Sequence, residues 1–164
     1  MLRLSKLTDY AVVVLIRLGE SEPVTDDRMQ TSPGIAAITG VPEPTVAKVL
    51  KALAAADMVT SQRGARGGYR LRRGLDAISV ADVITAIDGP IALTACVDGA
   101  PGTCDVQSLC EVKGRWEMVN DAIQQSLGAI TLADMRCASV PLAFRVPTPS
   151  FAILATQAIA SPAE

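Results

Sequence analysis

The 164-residue chain contains no histidine, which excludes histidine as an acid–base catalyst and as a metal ligand. Aromatic residues are also scarce, at 3%, although 49% of the residues are hydrophobic. A core built from Ala, Val, Leu and Ile fits packed helices better than an aromatic-rich sandwich. The composition therefore predicts a mainly helical protein, either one domain with extensions or a small domain with an oligomerisation element.

Long apolar segments are missing as well. No run approaches the roughly 20 apolar residues that span a bilayer. The run from Ala11 to Leu18 is short, contains Arg17, and lacks the cleavage pattern of a secretory signal. We therefore expect a cytoplasmic protein with no membrane partner, in which thiols are reduced. Metal or redox use of the four cysteines is then favoured over a disulfide framework.

The charge is divided unevenly along the chain. Residues 1–73 carry 11 Lys or Arg and 7 Asp or Glu, a net charge of +4, whereas residues 74–164 carry 4 and 10, a net charge of −6. A basic first half and an acidic second half are typical of a DNA-reading head followed by a separate partner domain.

The first half has the pattern of a helix-turn-helix. An apolar helix stopped by Gly19 and a polar loop over residues 20–30 precede a short helix capped by Thr31 and Ser32 and ended by Gly40. A second helix follows from Pro42. Its predicted inner face is Val46, Val49, Leu50 and Leu53, and its outer face is Thr45, Lys48 and Lys51. The alternative is an ordinary helix pair with solvated lysines. The apolar positions of the first helix are Leu4, Leu7, Tyr10, Ala11, Val14, Leu15 and Leu18.

Two alternating segments then flank a basic, glycine-rich loop at residues 63–68. This pattern predicts a β-hairpin, the wing of a winged helix. The arginines of the loop, Arg63 and Arg66, suit phosphates and a narrow minor groove. The alternative is a phosphate-binding loop of an enzyme, but no Walker pattern is present.

Three cysteines, Cys96, Cys104 and Cys110, lie in one Gly- and Pro-bearing loop after a helix opened by the capping box Ser79–Asp82. Thiolates are soft ligands for iron–sulfur clusters and zinc, and a flexible loop lets three of them converge. A zinc module is an alternative, although the four-ligand spacing of zinc ribbons is missing.

A long helix is predicted after this loop, opened by a capping box at Ser108 and Glu111. Cys110 would then lie in its first turn, where the helix dipole favours a thiolate. An apolar stripe along the helix predicts a homodimer, the alternative being packing on its own domain. Thr131 and Asp134 would cap a closing helix. The stripe comprises Leu109, Val112, Trp116, Val119, Ile123, Leu127 and Ile130.

The expected division is a winged helix-turn-helix domain at residues 1–90, a cysteine loop at 91–107, the dimerisation and closing helices at 108–136, and a disordered tail at 137–164. Cys137 lies at the edge of the tail, and we expect no role for it.

Six segments of the chain match one known family: residues 3–12, 35–41, 49–53, 59–71, 78–80 and 87–91. Through these segments, about residues 1–135 resemble the IscR/NsrR-type iron–sulfur winged-helix regulators. The opening segment is most similar to the branch that regulates the SUF iron–sulfur assembly operon.

 The resemblance implies a non-enzymatic, homodimeric repressor of SUF-type genes that binds double-stranded promoter DNA. Each subunit would hold an iron–sulfur cluster, [2Fe-2S] favoured over [4Fe-4S], through Cys96, Cys104 and Cys110. Loss or conversion of the cluster would change DNA affinity and report on iron–sulfur supply, iron, nitric oxide or oxidants. The positions carried over as DNA-binding are Thr31, Ser32, Thr45, Lys48, Lys51, Arg63, Arg66 and Tyr69.

The fourth ligand is left open by the resemblance. Lys113 stands where the IscR type has a histidine, and Ala47 stands where it has a glutamate that tunes promoter choice. Asp9 aligns with an aspartate that an NsrR-type member contributes from the partner subunit. The alternative for Asp9 is a carboxylate near a helix N-terminus, favoured by the helix dipole. A metal-free thiol redox switch, or a nitric-oxide- or iron-responsive regulator of the same type, is the alternative function.

Overall fold

The computed structural model describes residues 4–20, 29–64, 67–100, 110–112 and 114–137. These residues form six α-helices, one short 3-10 helix and a two-stranded antiparallel hairpin, as the composition predicted. None of the helices in these ranges is long and apolar enough to cross a membrane. The elements in chain order are α1 (Lys6–Glu20), α2 (Ser32–Thr39), α3 (Glu43–Ala55), β1 (Val59–Gln62), β2 (Gly68–Leu71), the 3-10 helix (Leu75–Ala77), α4 (Val80–Asp88), α5 (Arg115–Gly128) and α6 (Leu132–Arg136).

Helices α2 and α3 form the predicted helix-turn-helix. The Thr31 hydroxyl accepts a hydrogen bond from the Gly34 N–H, which caps α2. Gly40 ends α2 with a φ of 72°, in the left-handed region that glycine adopts without strain. Pro42, predicted in the first turn of α3, instead occupies its N-cap, and Pro44 lies in the first turn. The inner face of α3 is fully buried at Val46, Val49, Leu50 and Leu53.

The hairpin pairs Val59 with Leu71 and Gln62 with Gly68. Residues 20–30 were predicted to form a polar loop, but Gln30 at the end of this segment pairs with the hairpin. The Gln30 N–H donates to the Tyr69 carbonyl at 2.9 Å, and the Tyr69 N–H donates to the Gln30 carbonyl at 2.8 Å. This bridge joins the hairpin to the segment that leads into α2, so the wing and the helix-turn-helix are connected through backbone hydrogen bonds.

Helices α4 and α6 begin side by side. Two of the three predicted capping boxes are formed, by Ser79 with Asp82 and by Thr131 with Asp134. Ser79 and Thr131 also form an antiparallel bridge, in which the Val80 N–H donates to the Ile130 carbonyl at 2.9 Å. The bridge holds the start of α6 against the start of α4 and places Leu132 in the core.

The predicted start of the long helix is wrong. Helix α5 begins at Arg115, after Gly114 in the left-handed region with a φ of 75° and no side-chain cap. Residues 110–112 lie outside the helix, and the Arg115 N–H donates to the Val112 carbonyl in a turn. The turn at Gly114 separates Cys110 from the helix, so the dipole argument for this thiol does not apply. Ser108, Leu109 and the predicted tail from residue 138 lie outside the described residues.

The expected stop at Gly19 is also wrong, because α1 continues to Glu20. Gly19 lies against the 3-10 helix instead: a Cβ atom at this position would be 2.5 Å from Leu75 Cδ1 and 2.7 Å from Leu75 Cγ. Leu75 is buried and therefore has little room to move. Glycine is required here for close packing. Leu4 was predicted to belong to the apolar face of this helix, but it precedes α1 and is 57% exposed.

We predict that Gly19→Ala lowers the free energy of unfolding by about 1–3 kcal/mol, because the added methyl group overpacks against Leu75. Gly128→Ala is the matched control, since an added Cβ at this helical position has no neighbour within 4 Å. The control should be neutral or stabilise by about 0.5–1 kcal/mol. Urea denaturation of both variants measures the difference, and equal stabilities would contradict the packing role of Gly19.

Candidate functional site

The outer face of α3 and the hairpin carry exposed cations. Lys48, Lys51 and Arg63 are exposed and have no ion pair within the described part of the chain. Two further arginines of this region are engaged elsewhere: Arg72 pairs with Asp57, and Arg73 pairs with Asp82 at 3.3 Å. Lys48, Lys51 and Arg63 are therefore free to attract phosphates.

The other predicted DNA-binding residues have more varied surroundings. Thr45 is half-buried on α3, and the Thr31 hydroxyl is used by the α2 cap. The Ser32 hydroxyl oxygen is buried and has no hydrogen-bond partner among the described residues. The Tyr69 side chain packs partly against the core, and its backbone N–H and carbonyl are hydrogen-bonded to Gln30. Arg66 lies outside the described residues.

The wing tip depends on close backbone packing. The Gly67 N–H donates to the Gly64 carbonyl at 2.9 Å, which closes the turn. A Cβ at Gly67 would collide with the Gln62 carbonyl oxygen, and Gly64 has a φ of 111°. The glycines of this loop therefore serve the tight turn that presents Arg63.

Two of the three predicted cysteine ligands are described. Cys96 and Cys110 are free, half-buried thiols. Cys96 Sγ lies 3.1 Å from the Thr94 hydroxyl, and the next residue, Val97, is buried. Cys104 lies outside the described residues, and within the described ones no three Cys, Asp or Glu side chains are close enough to hold a metal. Cys137 is exposed at the end of α6.

The cysteine loop is held against α5 by side chains that sequence reasoning missed. The Asn120 carbonyl oxygen accepts the Leu93 N–H at 3.2 Å, and Glu117 Oε1 accepts the Asp98 N–H at 3.0 Å. Gln124 Nε2 donates to the Ile91 carbonyl at 3.0 Å. The spacing of Glu117, Asn120 and Gln124 by three and four residues, which places them on one face of α5, was the available signal.

Asp9 is exposed on α1 and lines an open groove of about 720 Å³ together with Leu4, Val80 and Met135. The structure does not bring it to a cysteine of the same chain within the described residues. Its position is compatible with either prediction, a ligand from a partner subunit or a carboxylate near the start of a helix.

Beside Asp9, the start of α1 is tied to the end of α4. The buried Thr8 hydroxyl donates to Asp88 Oδ2 at 2.7 Å, and the Ser5 N–H donates to the same oxygen at 3.4 Å. Burial raises the pKa of Asp88, but the hydrogen bonds from Thr8 and Ser5 outweigh it and leave the pKa below its ordinary value of 3.8. Asp88 immediately precedes Gly89, where the cysteine loop leaves α4, so this contact fixes the origin of the loop.

A helix-turn-helix followed by a hairpin with unpaired cations defines a winged-helix DNA-binding protein. Residues 4–138 match the Rrf2 family, described as iron-dependent transcriptional regulators. The chain belongs to the Rrf2 family, whose members are transcriptional regulators and not enzymes.

Individual relatives agree with this assignment. The chain is 30% identical over 142 residues to Rv1287 of Mycobacterium tuberculosis (strain ATCC 25618 / H37Rv), a protein assigned as an HTH-type transcriptional regulator; the match covers 85% of this chain and 84% of Rv1287. Among solved structures, T. potens IscR is 30% identical with a TM-score of 0.57, covering 82% of this chain and 85% of that one. CymR, the global cysteine regulator of B. subtilis, is 26% identical with a TM-score of 0.63, covering 83% and 97%.

We predict that Thr8→Val makes stability less dependent on pH in the acid range. The lowered pKa of Asp88 means that its contribution is present above the ordinary value of 3.8 and is lost as the pH falls through the folded-state pKa. Removing the hydroxyl should cost about 1 kcal/mol at pH 7 and less in acid. Thermal melts between neutral and acid pH measure this, and parallel pH profiles for the two proteins would contradict the role of Asp88.

Proposed function

We propose that the chain is an iron–sulfur-cluster-sensing transcriptional regulator that represses SUF-type iron–sulfur assembly genes. The observation that carries the proposal is a thiol-bearing loop, with Cys96 half-buried, tied by hydrogen bonds to the body of a winged-helix protein. Family membership supports the regulatory part, and the similarity to T. potens IscR supports the cluster.

The donor set fits a cluster. Cys96, Cys104 and Cys110 supply three thiols, and the two described ones are free and accessible in part. Asp9 is proposed as the fourth ligand, from the partner subunit, because it is exposed on α1. A bound [2Fe-2S] cluster would supply a redox-sensitive centre. Side chains of α5 hold the cysteine loop in place through hydrogen bonds to its backbone.

A homodimer is supported by the surface of α5. Trp116 and Val119 are each 40% exposed although both are apolar, while Ile123 and Leu127 are half-buried along the same stripe. Covering such a stripe with the same helix of a second copy buries apolar area on both chains. Two copies would also present two recognition helices to successive half-sites of DNA.

A metal-free thiol switch is the second candidate function. It is favoured by the similarity to CymR, the global cysteine regulator of B. subtilis, and by the free state of Cys96 and Cys110. In this alternative, oxidation joins two thiols in a disulfide and an external oxidant accepts the two electrons. Iron and sulfide analysis of anaerobically purified protein separates the two functions.

We predict that the protein purified without oxygen is brown and contains iron and sulfide. Replacing Cys96, Cys104 or Cys110 by Ala should remove the visible absorption, because each substitution deletes a thiolate ligand. Cys137→Ala is the matched control and should keep the colour. A colourless, iron-free wild-type protein would refute the cluster and leave the thiol switch as the function.

We predict that Lys48→Ala and Arg63→Ala weaken promoter binding without removing the cluster, because each deletes an unpaired cation from the proposed interface. A lost phosphate contact should also reduce the salt slope of binding by about 0.9. Lys6→Ala is the control, since Lys6 lies on α1 over the Tyr10 ring. Fluorescence anisotropy over a salt series measures both quantities, and unchanged binding in both variants would contradict the interface.

A further inference from the structure

Three polar side chains on one face of α5 hold the backbone of the cysteine loop. Glu117, Asn120 and Gln124 are spaced by three and four residues and therefore share a helix face. They bond the backbone at residues 98, 93 and 91 respectively, on both sides of Cys96. We name these three side chains the loop clamp.

Asn120 is the central member of the clamp. Its side chain is only 2% exposed, which makes it one of two buried polar residues among those described. A buried amide is costly unless it is hydrogen-bonded, and the bond to the Leu93 N–H compensates part of this cost. The amide therefore favours one position of the loop relative to α5.

The two ends of α5 are attached differently. Its C-terminal end continues into α6, which is bridged to the start of α4 through Ile130 and Leu132. Its N-terminal part contacts the cysteine loop through Glu117 and Asn120, and the exposed Trp116 and Val119 lie in the same turns. A displacement of the loop is thus transmitted first to the part of α5 that carries exposed apolar side chains.

We propose that Glu117, Asn120 and Gln124 are positioning residues that couple the state of the cysteine loop to the position of α5. The inference rests on the proposed sensing function. A change at Cys96 moves the backbone on either side of it, the clamp bonds lengthen or break, and α5 shifts. Because α5 bears the apolar stripe proposed for the dimer, the spacing of the two DNA-binding heads changes with it.

Gln124→Met tests the coupling, because it keeps the length of the side chain and removes the donor to the Ile91 carbonyl. Gln125→Met is the matched control, an exposed neighbour on a different face of α5. In the metal-free, reduced protein, amide hydrogen exchange over residues 91–98 should accelerate about threefold to tenfold in Gln124→Met and stay unchanged in the control.

The second measurement compares two states of the loop. Exchange at residues 115–120 is recorded before and after the cluster is reconstituted with iron and sulfide, and before and after thiol oxidation with diamide. The wild type and Gln125→Met should show a state-dependent difference, and Gln124→Met should show a smaller one. The ratio of DNA affinities in the two states should fall in parallel, while the melting temperature of Gln124→Met stays close to that of the wild type.

Asn120→Leu extends the test to the buried member, with similar volume and no acceptor for Leu93. If both variants retain the full wild-type difference at residues 115–120, the coupling is refuted even where the cluster forms. If the wild type forms no cluster but diamide still produces a difference that Gln124→Met reduces, the coupling holds and the cluster proposal fails.

Discussion

Burial of one face of α3 is the constraint on which the rest of the molecule depends. Val46, Val49, Leu50 and Leu53 are completely buried, and each contributes about 1.5–3 kcal/mol when fully removed from water. This packing fixes the rotation of α3 about its axis. The rotation in turn exposes Lys48 and Lys51, so the same apolar contacts that stabilise the fold also orient the proposed DNA-binding face.

Backbone hydrogen bonds carry the connections between the parts. The Gln30–Tyr69 bridge joins the hairpin to the entry of α2, and the Ser79–Thr131 bridge joins α4 to α6. The cysteine loop is attached at its origin through Asp88 and along its length through the loop clamp. Helix α4 in turn packs against α3, so the cysteine loop is joined to the proposed recognition helix through α4.

Much of the fold could be predicted from local patterns. The caps at Thr31, Ser79 and Thr131 and the left-handed Gly40 are local signals, and the structure forms each of them. The start of α5 was not predictable in this way, because a capping-box pattern specifies a helix only if the backbone before it is extended. Here Gly114 turns the chain and moves the start to Arg115.

The sequence by itself determined the helix-turn-helix, the hairpin and the residue types of the candidate sites, because capping, turn chemistry and periodicity act over a few residues. Tertiary structure alone decided the role of Gly19 against Leu75, the bond between Thr8 and Asp88, and the contact of Asn120 with Leu93. Each of these contacts joins residues that are 27 or more positions apart in the chain. Such contacts depend on how the elements pack, and no local pattern records that packing.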